Sequence, residues 1–285
     1  MNKVLYEVRD GVAVLTVNRP EALNALDLET HAAIKEAALR AEGAREVAGI
    51  LLTGAGEKAF VAGADIKELA AARSADDLER LSLFGQDVFA TLAALKKPVL
   101  AAVNGFALGG GLELAMACHD RVLCENALLG QPEVNLGIIP GYGGTQRLPR
   151  LVGFERAWSM LRTGRPIKAA ESAAAGLGTL LPREGFLDAA KTRLKVMIDH
   201  RPRRLEPAPL PVPEMPPELE LGHLSRSIDA LLQAAILEGL RLPLEQGLRL
   251  EARYFGACHE TEDLHLGLRN FLEQGPRHPA PFVHR

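Results

Sequence analysis

The sequence predicts an α/β protein with a helical C-terminal region, and three observations carry that prediction. Short β-branched runs alternate with amphipathic helical patterns through the first half, the order expected when helices cross over between strands of a mostly parallel sheet. After Thr163 the pattern turns helical and stays so. Two of those later helices are separated by Pro202 to Pro217, with seven prolines in sixteen residues. That density excludes helix or central strand and leaves an exposed, extended connection.

The elements follow in order. The N-terminus enters a strand pattern at once, and Val12 to Val17 is a β-branched run bounded by Gly11 and by Asn18-Arg19-Pro20. ALDLETHAAIKEAALRAEG reads as an amphipathic helix with Leu26, Ile34, Ala38 and Leu39 near one face, and Gly49 to Thr53 as a strand. Ser74 to Leu95 is helical, with Ser74 as N-cap and Leu81, Phe84, Val88 and Leu92 recurring at three or four residues. Pro98 to Val103 is an apolar strand ended by Asn104-Gly105; helix LELAMACH and strand RVLCEN follow. The second half supplies helices IKAAESAAAG, FLDAAKTRLKVMIDH, IDALLQAAILEGL and PLEQGLRLEARYFGAC. Strand–helix units recur at irregular length, without an exact repeat.

Composition narrows the function classes. The 285 residues carry 33 Lys+Arg against 36 Asp+Glu, a net charge of −3, so there is no basic field for nucleic acid or an acidic membrane surface. No apolar run approaches the roughly 20 residues that span a bilayer, and the first residues lack a signal peptide's apolar stretch. Cys118, Cys124 and Cys258 are odd in number and not in framework spacing, which predicts a reducing cytoplasm.

The chemistry concentrates in Asn104 to Asp120, NGFALGGGLELAMACHD. Gly109-Gly110-Gly111 precedes an apolar helix, where backbone amides are unpaired by the helix itself. A nucleotide loop fails on spacing: no Lys-Ser/Thr follows, and Leu114 occupies the third glycine position of a dinucleotide fingerprint. Such a turn can present an amide to a developing oxyanion, or simply allow close strand–helix packing. Glu113, among Leu112, Leu114, Ala115 and Met116, is predicted to be buried. Gln131-Pro132-Glu133 reads as the end of another strand, and Glu133 is a second carboxyl in an apolar neighbourhood, beside a second glycine-rich turn. Two carboxyls that share a site titrate apart, so that one serves as acid and the other as base.

These blocks, together with NRPEALNALD at 18–27, AFVAGADIKEL at 59–69 and PGYGGTQRLPR at 140–150, closely resemble the enoyl-CoA hydratase/isomerase (crotonase) superfamily. The resemblance covers roughly residues 4 to 180, and YFGACHETEDLHLGLRNFLE matches the family's closing helices more loosely. It implies a crotonase-like spiral of β-β-α turns over 1–190, carrying the active site. A C-terminal helical region over 191–285 would follow, with the proline-rich insertion at 202–217. It implies an acyl-CoA substrate, with coenzyme A part of the substrate and no separate cofactor or metal. Assembly is expected as a trimer or dimer of trimers.

Matched residue by residue, the resemblance gives the backbone amides of Ala64 and Gly110 as the oxyanion hole for the thioester carbonyl. Glu113 would orient and activate water, and Glu133 would protonate C2. Gly141 matches the glycine whose amide helps place the reacting groups. The adenine end of CoA is expected along a strand around Ala64, Asp65, Ile66 and Lys67, near Leu23 and Ala25, with Lys67 or a C-terminal Arg meeting the phosphates.

Three features depart from the family pattern. Tyr142 stands where many hydratases have a small residue and is expected to narrow or redirect the acyl pocket. Cys118-His119-Asp120 resembles the hydratase part of multifunctional β-oxidation proteins; without a fourth ligand or paired spacing it does not read as a zinc site. His259 and Leu266 stand where the family prefers Phe and Glu, so CoA contacts from the tail are not expected. The expected activity is reversible hydration of a trans-2-enoyl-CoA. A 3-enoyl to 2-enoyl-CoA isomerase is the alternative, since isomerases of the family use one carboxyl. A subunit docking to other β-oxidation enzymes through residues 202–217 is an alternative of another class.

Overall fold

The computed structural model describes residues 2–200 and 204–285, so Pro202 and most of the RPRR charge cluster at 201–204 lie outside the described residues. In chain order the elements are β1 Val4–Arg9, β2 Val12–Val17, α1 Leu28–Gly43, β3 Gly49–Gly54, β4 Ala59–Val61, α2 Ile66–Ala70, α3 Ala75–Ala94, β5 Val99–Val103 and β6 Phe106–Leu108. Then come α4 Gly110–Ala117, β7 Asp120–Cys124, β8 Leu128–Gly130, α5 Gly144–Val152, α6 Phe154–Thr163, β9 Ile167–Lys168, α7 Ala169–Ala174, β10 Thr179–Leu181 and α8 Phe186–Asp199. The chain closes with α9 Arg226–Gly239, α10 Leu244–Ala257 and α11 Glu262–Gln274.

The chain divides into two compact units, each discontinuous in sequence. The first comprises Met1–Ala64, Asp87–Leu129 and Ile167–Leu205. It holds a six-stranded sheet in the order β1-β2-β3-β5-β7-β10 and a four-stranded sheet in the order β4-β6-β8-β9. In the larger sheet β1 pairs antiparallel with β2 and every later neighbour is parallel. The strands β3 and β5 are buried at every residue, as a parallel sheet covered on both faces requires. α8 supplies part of that cover: Phe186, Ala190, Leu194 and Met197 pack with Leu51, Leu100, Ala102 and Val122. The spiral is visible as repetition. Each of β3, β5 and β7 lies in the larger sheet, and each is followed within a few residues by a strand of the smaller one and then by a helix.

The second unit comprises Asp65–Gln86, Gly130–Pro166 and Glu206–Arg285. Helices α9 and α10 pack against each other and both against α5. A buried two-pronged ion pair, Arg162 Nε and Nη2 to the Asp229 carboxylate at 2.7 and 2.8 Å, ties α6 to α9. The proline-rich stretch is irregular from 204 onward, and its polar backbone atoms are used inside this unit. Leu210 N donates to Leu240 O, Leu244 N to Pro207 O, and Trp158 Nε1 to Pro217 O at 2.8 Å. The boundary expected near residue 190 falls inside α8, all of which belongs to the first unit.

Several local expectations need correction. In α1 Leu39 is 48 % exposed and the buried face is Ile34, Ala37, Ala38 and Ala41. In α3 Val88 and Leu92 are buried as expected and Leu81 is half-buried, but Phe84 is exposed; the buried face also takes in Leu78, Ser82, Gln86 and Phe89, and Ser82 and Gln86 satisfy the Gly141 carbonyl of a neighbouring turn. Ser74 caps α3 as expected, accepting from Asp77 N at 3.2 Å. The segment around Ala64 to Lys67 is not a strand: Asp65 accepts from Lys67 N and starts α2. Glu133 does not end a strand. β8 stops at Gly130, and Pro132, lacking an N–H, precedes a 3-10 turn over Glu133–Leu136. The helix expected from Ile167 begins only at Ala169, after the two-residue strand β9.

Candidate active site

In the first unit, the two expected oxyanion donors sit on segments fixed by backbone and buried side-chain bonds. Ala64 follows β4 and bridges to Leu26, flanked by Leu26 N to Gly63 O at 2.9 Å and Ala62 N to Leu23 O at 3.1 Å. Leu23 and Ala25 are held in turn by Asn24, wholly buried at φ +60°. Asn24 Nδ2 donates to Ala55 O and Ala59 O, Asn24 Oδ1 accepts from Arg19 N, and Arg19 Nη1 donates to Ala25 O at 2.6 Å. Leu23 itself is exposed, Ala25 and Ala64 half-buried, which leaves small groups and backbone at the surface where a ligand is expected.

Gly110 is the first residue of α4, so its amide has no acceptor one turn back in the helix. The glycine after it answers a packing demand. A Cβ on Gly111 would lie 1.9 Å from Val61 O, so α4 rests on the β4 backbone at a distance only glycine allows. Glu113 is 1 % exposed on this helix, and its amide donates to Gly109 O at 3.0 Å, closing the first turn. Its burial was legible from the apolar residues around it.

In the second unit, Glu133 opens the 3-10 turn with its Oε2 enclosed and making no hydrogen bond, although the residue as a whole keeps some exposure. Burial, with the negative charge of Glu251 adding to it, pushes its carboxyl up to about 8. It therefore holds a proton at neutral pH. The turn at Gly141–Thr145 is pinned at nearly every polar atom. Ser82 Oγ and Gln86 Nε2 donate to Gly141 O at 2.5 and 3.1 Å, and Arg147 Nη1 donates to Tyr142 O at 2.7 Å. Glu251 takes the amides of Gly143 and Thr145 at 2.6 and 2.8 Å. The Tyr142 ring is buried, its centroid 6.5 Å from that of Phe255. It occupies space left by Gly85 on α3, where a Cβ would come within 2.4 Å of the ring. Asp65 and Ile66 are half-buried at the start of α2, and Lys67 is exposed.

Glu251, Thr145, Gln86 and Ser82 were not read as site residues from the sequence. A signal existed for Glu251: Leu248, Ala252 and Phe255 define the buried stripe of α10, and residue 251 falls on it at helical spacing. Cys118 and His119 take structural parts. Burial pushes the Cys118 thiol up to about 12, and His119 Nδ1 accepts from Val99 N at 3.0 Å while burial lowers its pKa. Among the described residues no three His, Cys, Asp or Glu side chains are grouped to hold a metal ion, and no helix is long and apolar enough to cross a membrane.

Chemically, the parts are two main-chain amide donors, a buried carboxyl at a helix start and a carboxyl that carries a proton at neutral pH. Residues 7–207 match the model of the enoyl-CoA hydratase/isomerase family. The chain is 38 % identical over 275 residues to a short-chain-enoyl-CoA hydratase of Clostridium acetobutylicum, covering 96 % of each chain. It is 39 % identical over 273 residues to a crotonyl-CoA hydratase of Syntrophomonas wolfei, covering 95 % of each. Among solved structures it is similar to an enoyl-CoA hydratase from Bacillus anthracis, with a TM-score of 0.66 and 30 % identity, over 99 % of this chain and 100 % of that one. EchA1_1 from Mycobacterium paratuberculosis superposes with a TM-score of 0.75 at 29 % identity over the whole of both chains.

Proposed function

The chain belongs to the enoyl-CoA hydratase/isomerase family, and on that premise we propose that it adds water reversibly across the C2–C3 double bond of a trans-2-enoyl-CoA. The observation that carries the reading is the enclosed carboxyl of Glu133, whose Oε2 makes no hydrogen bond and which burial pushes up to about 8, a proton source suited to C2 of an enolate. In this mechanism the thioester carbonyl accepts hydrogen bonds from the amides of Ala64 and Gly110. Each is worth about 3 to 4 kcal/mol to the transition state in sites of this kind. Glu113 orients water and takes its proton as oxygen attacks C3; Glu133 gives its proton to C2. The return reaction reverses both transfers. Gly141 places the reacting groups through its amide. Leu23, Ala25, Ala64, Asp65, Ile66 and Lys67 are assigned to CoA.

A short acyl chain is the favoured substrate. Two relatives are named for short-chain and crotonyl substrates, and the buried Tyr142 ring takes up volume beside Gly141. The isomerase reading needs only one carboxyl, whereas two are retained here. A cytoplasmic location is proposed for the chain, and its three free, buried cysteines fit that reading. Assembly as a trimer or dimer of trimers is proposed from the family resemblance, and light scattering tests it. The docking alternative is not adopted, because the proline-rich stretch uses backbone groups within its own unit.

The decisive measurement is turnover of crotonyl-CoA, followed by loss of the enoyl-thioester absorbance, for the wild type, Glu113→Gln and Glu133→Gln. Each substitution is expected to lower kcat by about 100-fold or more with the fold intact. Retention of most of kcat by either variant removes that residue from the mechanism. Faster conversion of a 3-enoyl-CoA than hydration of crotonyl-CoA by the wild type would install the isomerase reading instead.

A further inference from the structure

We propose that Glu251 is a positioning residue for the reaction: its carboxylate fixes the turn Gly141–Thr145 in one geometry and, when ionised, sets a negative charge within electrostatic reach of Glu133. The inference rests on the reading of Glu133 as the acid, and deepens it.

The geometry is that of a saturated anion. Glu251 is wholly buried on α10, and Oε1 accepts from Gly143 N at 2.6 Å and Gln86 Nε2 at 3.1 Å. Oε2 accepts from Thr145 N at 2.8 Å and Thr145 Oγ1 at 2.5 Å. Four donors fill the acceptor sites, so a proton on either oxygen would displace a hydrogen bond already made. Two of the donors are main-chain amides of the turn, and a third, Gln86, also holds Gly141 O and Leu248 O. One carboxylate thus joins three segments, at separations of 106 to 165 residues.

Burial pushes Glu251 up to about 7, and the charged and titratable groups around it act against or alongside that shift. From α5, the Arg147 guanidinium attracts it, while Arg150 donates to Gln146 O and Leu242 O. From α3, Glu79 lies beside the Gly256 backbone. From α9, Glu238 is engaged with the Tyr254 hydroxyl at 2.9 Å. On α10 itself Arg249 pairs with Glu245, and Arg253 lines a surface depression with Glu79 and Leu83. In the following turn Cys258 is pushed up to about 12 by burial and stays neutral. Burial raises both glutamates, but only Glu251 has donors on both oxygens and Arg147 beside them. Burial pushes Glu133 up to about 8 and Glu251 only to about 7, so the ionised form is held more readily at Glu251.

The test is a kcat–pH profile for crotonyl-CoA with the full chain carrying Glu251→Gln or Glu251→Asp. The Gln variant removes the charge and turns an amide N–H toward existing donors. Its kcat should fall about tenfold or more with KM changed less than threefold, and the high-pH limb should move down by about one pH unit or more as Glu133 gives up its proton more readily. The Asp variant keeps the charge but cannot reach both amides, so kcat falls while the limb stays. An unchanged profile and kcat in folded Glu251→Gln, or a limb displaced only in Glu251→Asp, overturns the inference. Should Glu251→Gln fail to fold, the infrared C=O stretch of a protonated carboxyl at pH 7.5 decides. Its loss in Glu133→Gln supports the assignment of the proton, and its persistence places the proton elsewhere and overturns it. An active Glu133→Gln refutes the acid assignment itself, whereas an inactive one beside an unmoved Glu251→Gln limb refutes only the positioning role.

Discussion

A carboxyl kept protonated by burial should make the folded protein less stable as pH rises, and the amount can be worked out. The Glu133 carboxyl stands at 4.5 in its ordinary state and about 8 in the fold. Below pH 4.5 both folded and unfolded chains carry the proton, and the group contributes no cost. Between 4.5 and 8 the unfolded chain releases it and the folded one keeps it, so stability falls with a slope of about 1.4 kcal/mol per pH unit. Above 8 both forms are ionised and the loss levels off. At pH 7.5 the three intervening units amount to at most about 4 kcal/mol, and the residual exposure of the residue brings the expectation to about 2 to 4 kcal/mol. Glu133→Gln lacks this titration and relieves that of the coupled Glu251, while the remaining groups titrate in common. Urea unfolding of both proteins from pH 5 to 9, at one protein concentration because assembly would couple to folding, should therefore give curves that diverge. The variant gains on the wild type through pH 8 and then runs parallel to it. The amide's own fit adds only a constant offset. Curves parallel throughout, or diverging toward low pH, would refute the reasoning that the fold holds Glu133 protonated.

Other consequences are equally direct. Tyr142→Ala opens the space between Gly85 and Phe255 and should shift kcat/KM from short toward medium enoyl-CoAs; equal kinetics on both for the two proteins would show the ring does not border the acyl chain. Gly111→Ala places a methyl 1.9 Å from Val61 O, so α4 must lift from β4; a loss of about 3 kcal/mol or more in urea and of hydration activity is expected. Arg162→Met strands the buried Asp229 carboxylate and should cost about 3 to 5 kcal/mol, of which the double variant with Asp229→Leu recovers most if the cost is an orphaned charge.

What could be read from the sequence was whatever a single periodicity or cluster declared. Pro98 to Val103 reads as an apolar strand and is buried, and Glu113, surrounded by Leu112, Leu114, Ala115 and Met116, was expected to be buried and is. Helices α5 and α6 escaped, because α5 begins on a glycine pair and carries Pro149 within it, and Gly153 separates the two. Their formation depends on tertiary bonds such as those of Thr145 and Gln146, which no local window contains. The buried face of α3 was legible at Val88 and Leu92 and misplaced only toward Phe84, for the same reason. Ser82 and Gln86 look like solvent-facing residues until the Gly141 carbonyl they satisfy is in place. Glu251 is the clearest case. Its stripe was visible, but its four donors come from residues scattered along the chain.

The proline-rich stretch has one more property, a scarcity of backbone donors. Pro207, Pro209, Pro211 and Pro213 occupy every second position and none has an N–H. Of the residues between them, Ala208 N is taken by Glu206 Oε1 and Leu210 N by Leu240 O. An exposed extended segment is ordinarily an invitation to pair with another chain and aggregate. This one can be attached to its own unit without offering a ladder to anything else, and composition alone enforces that.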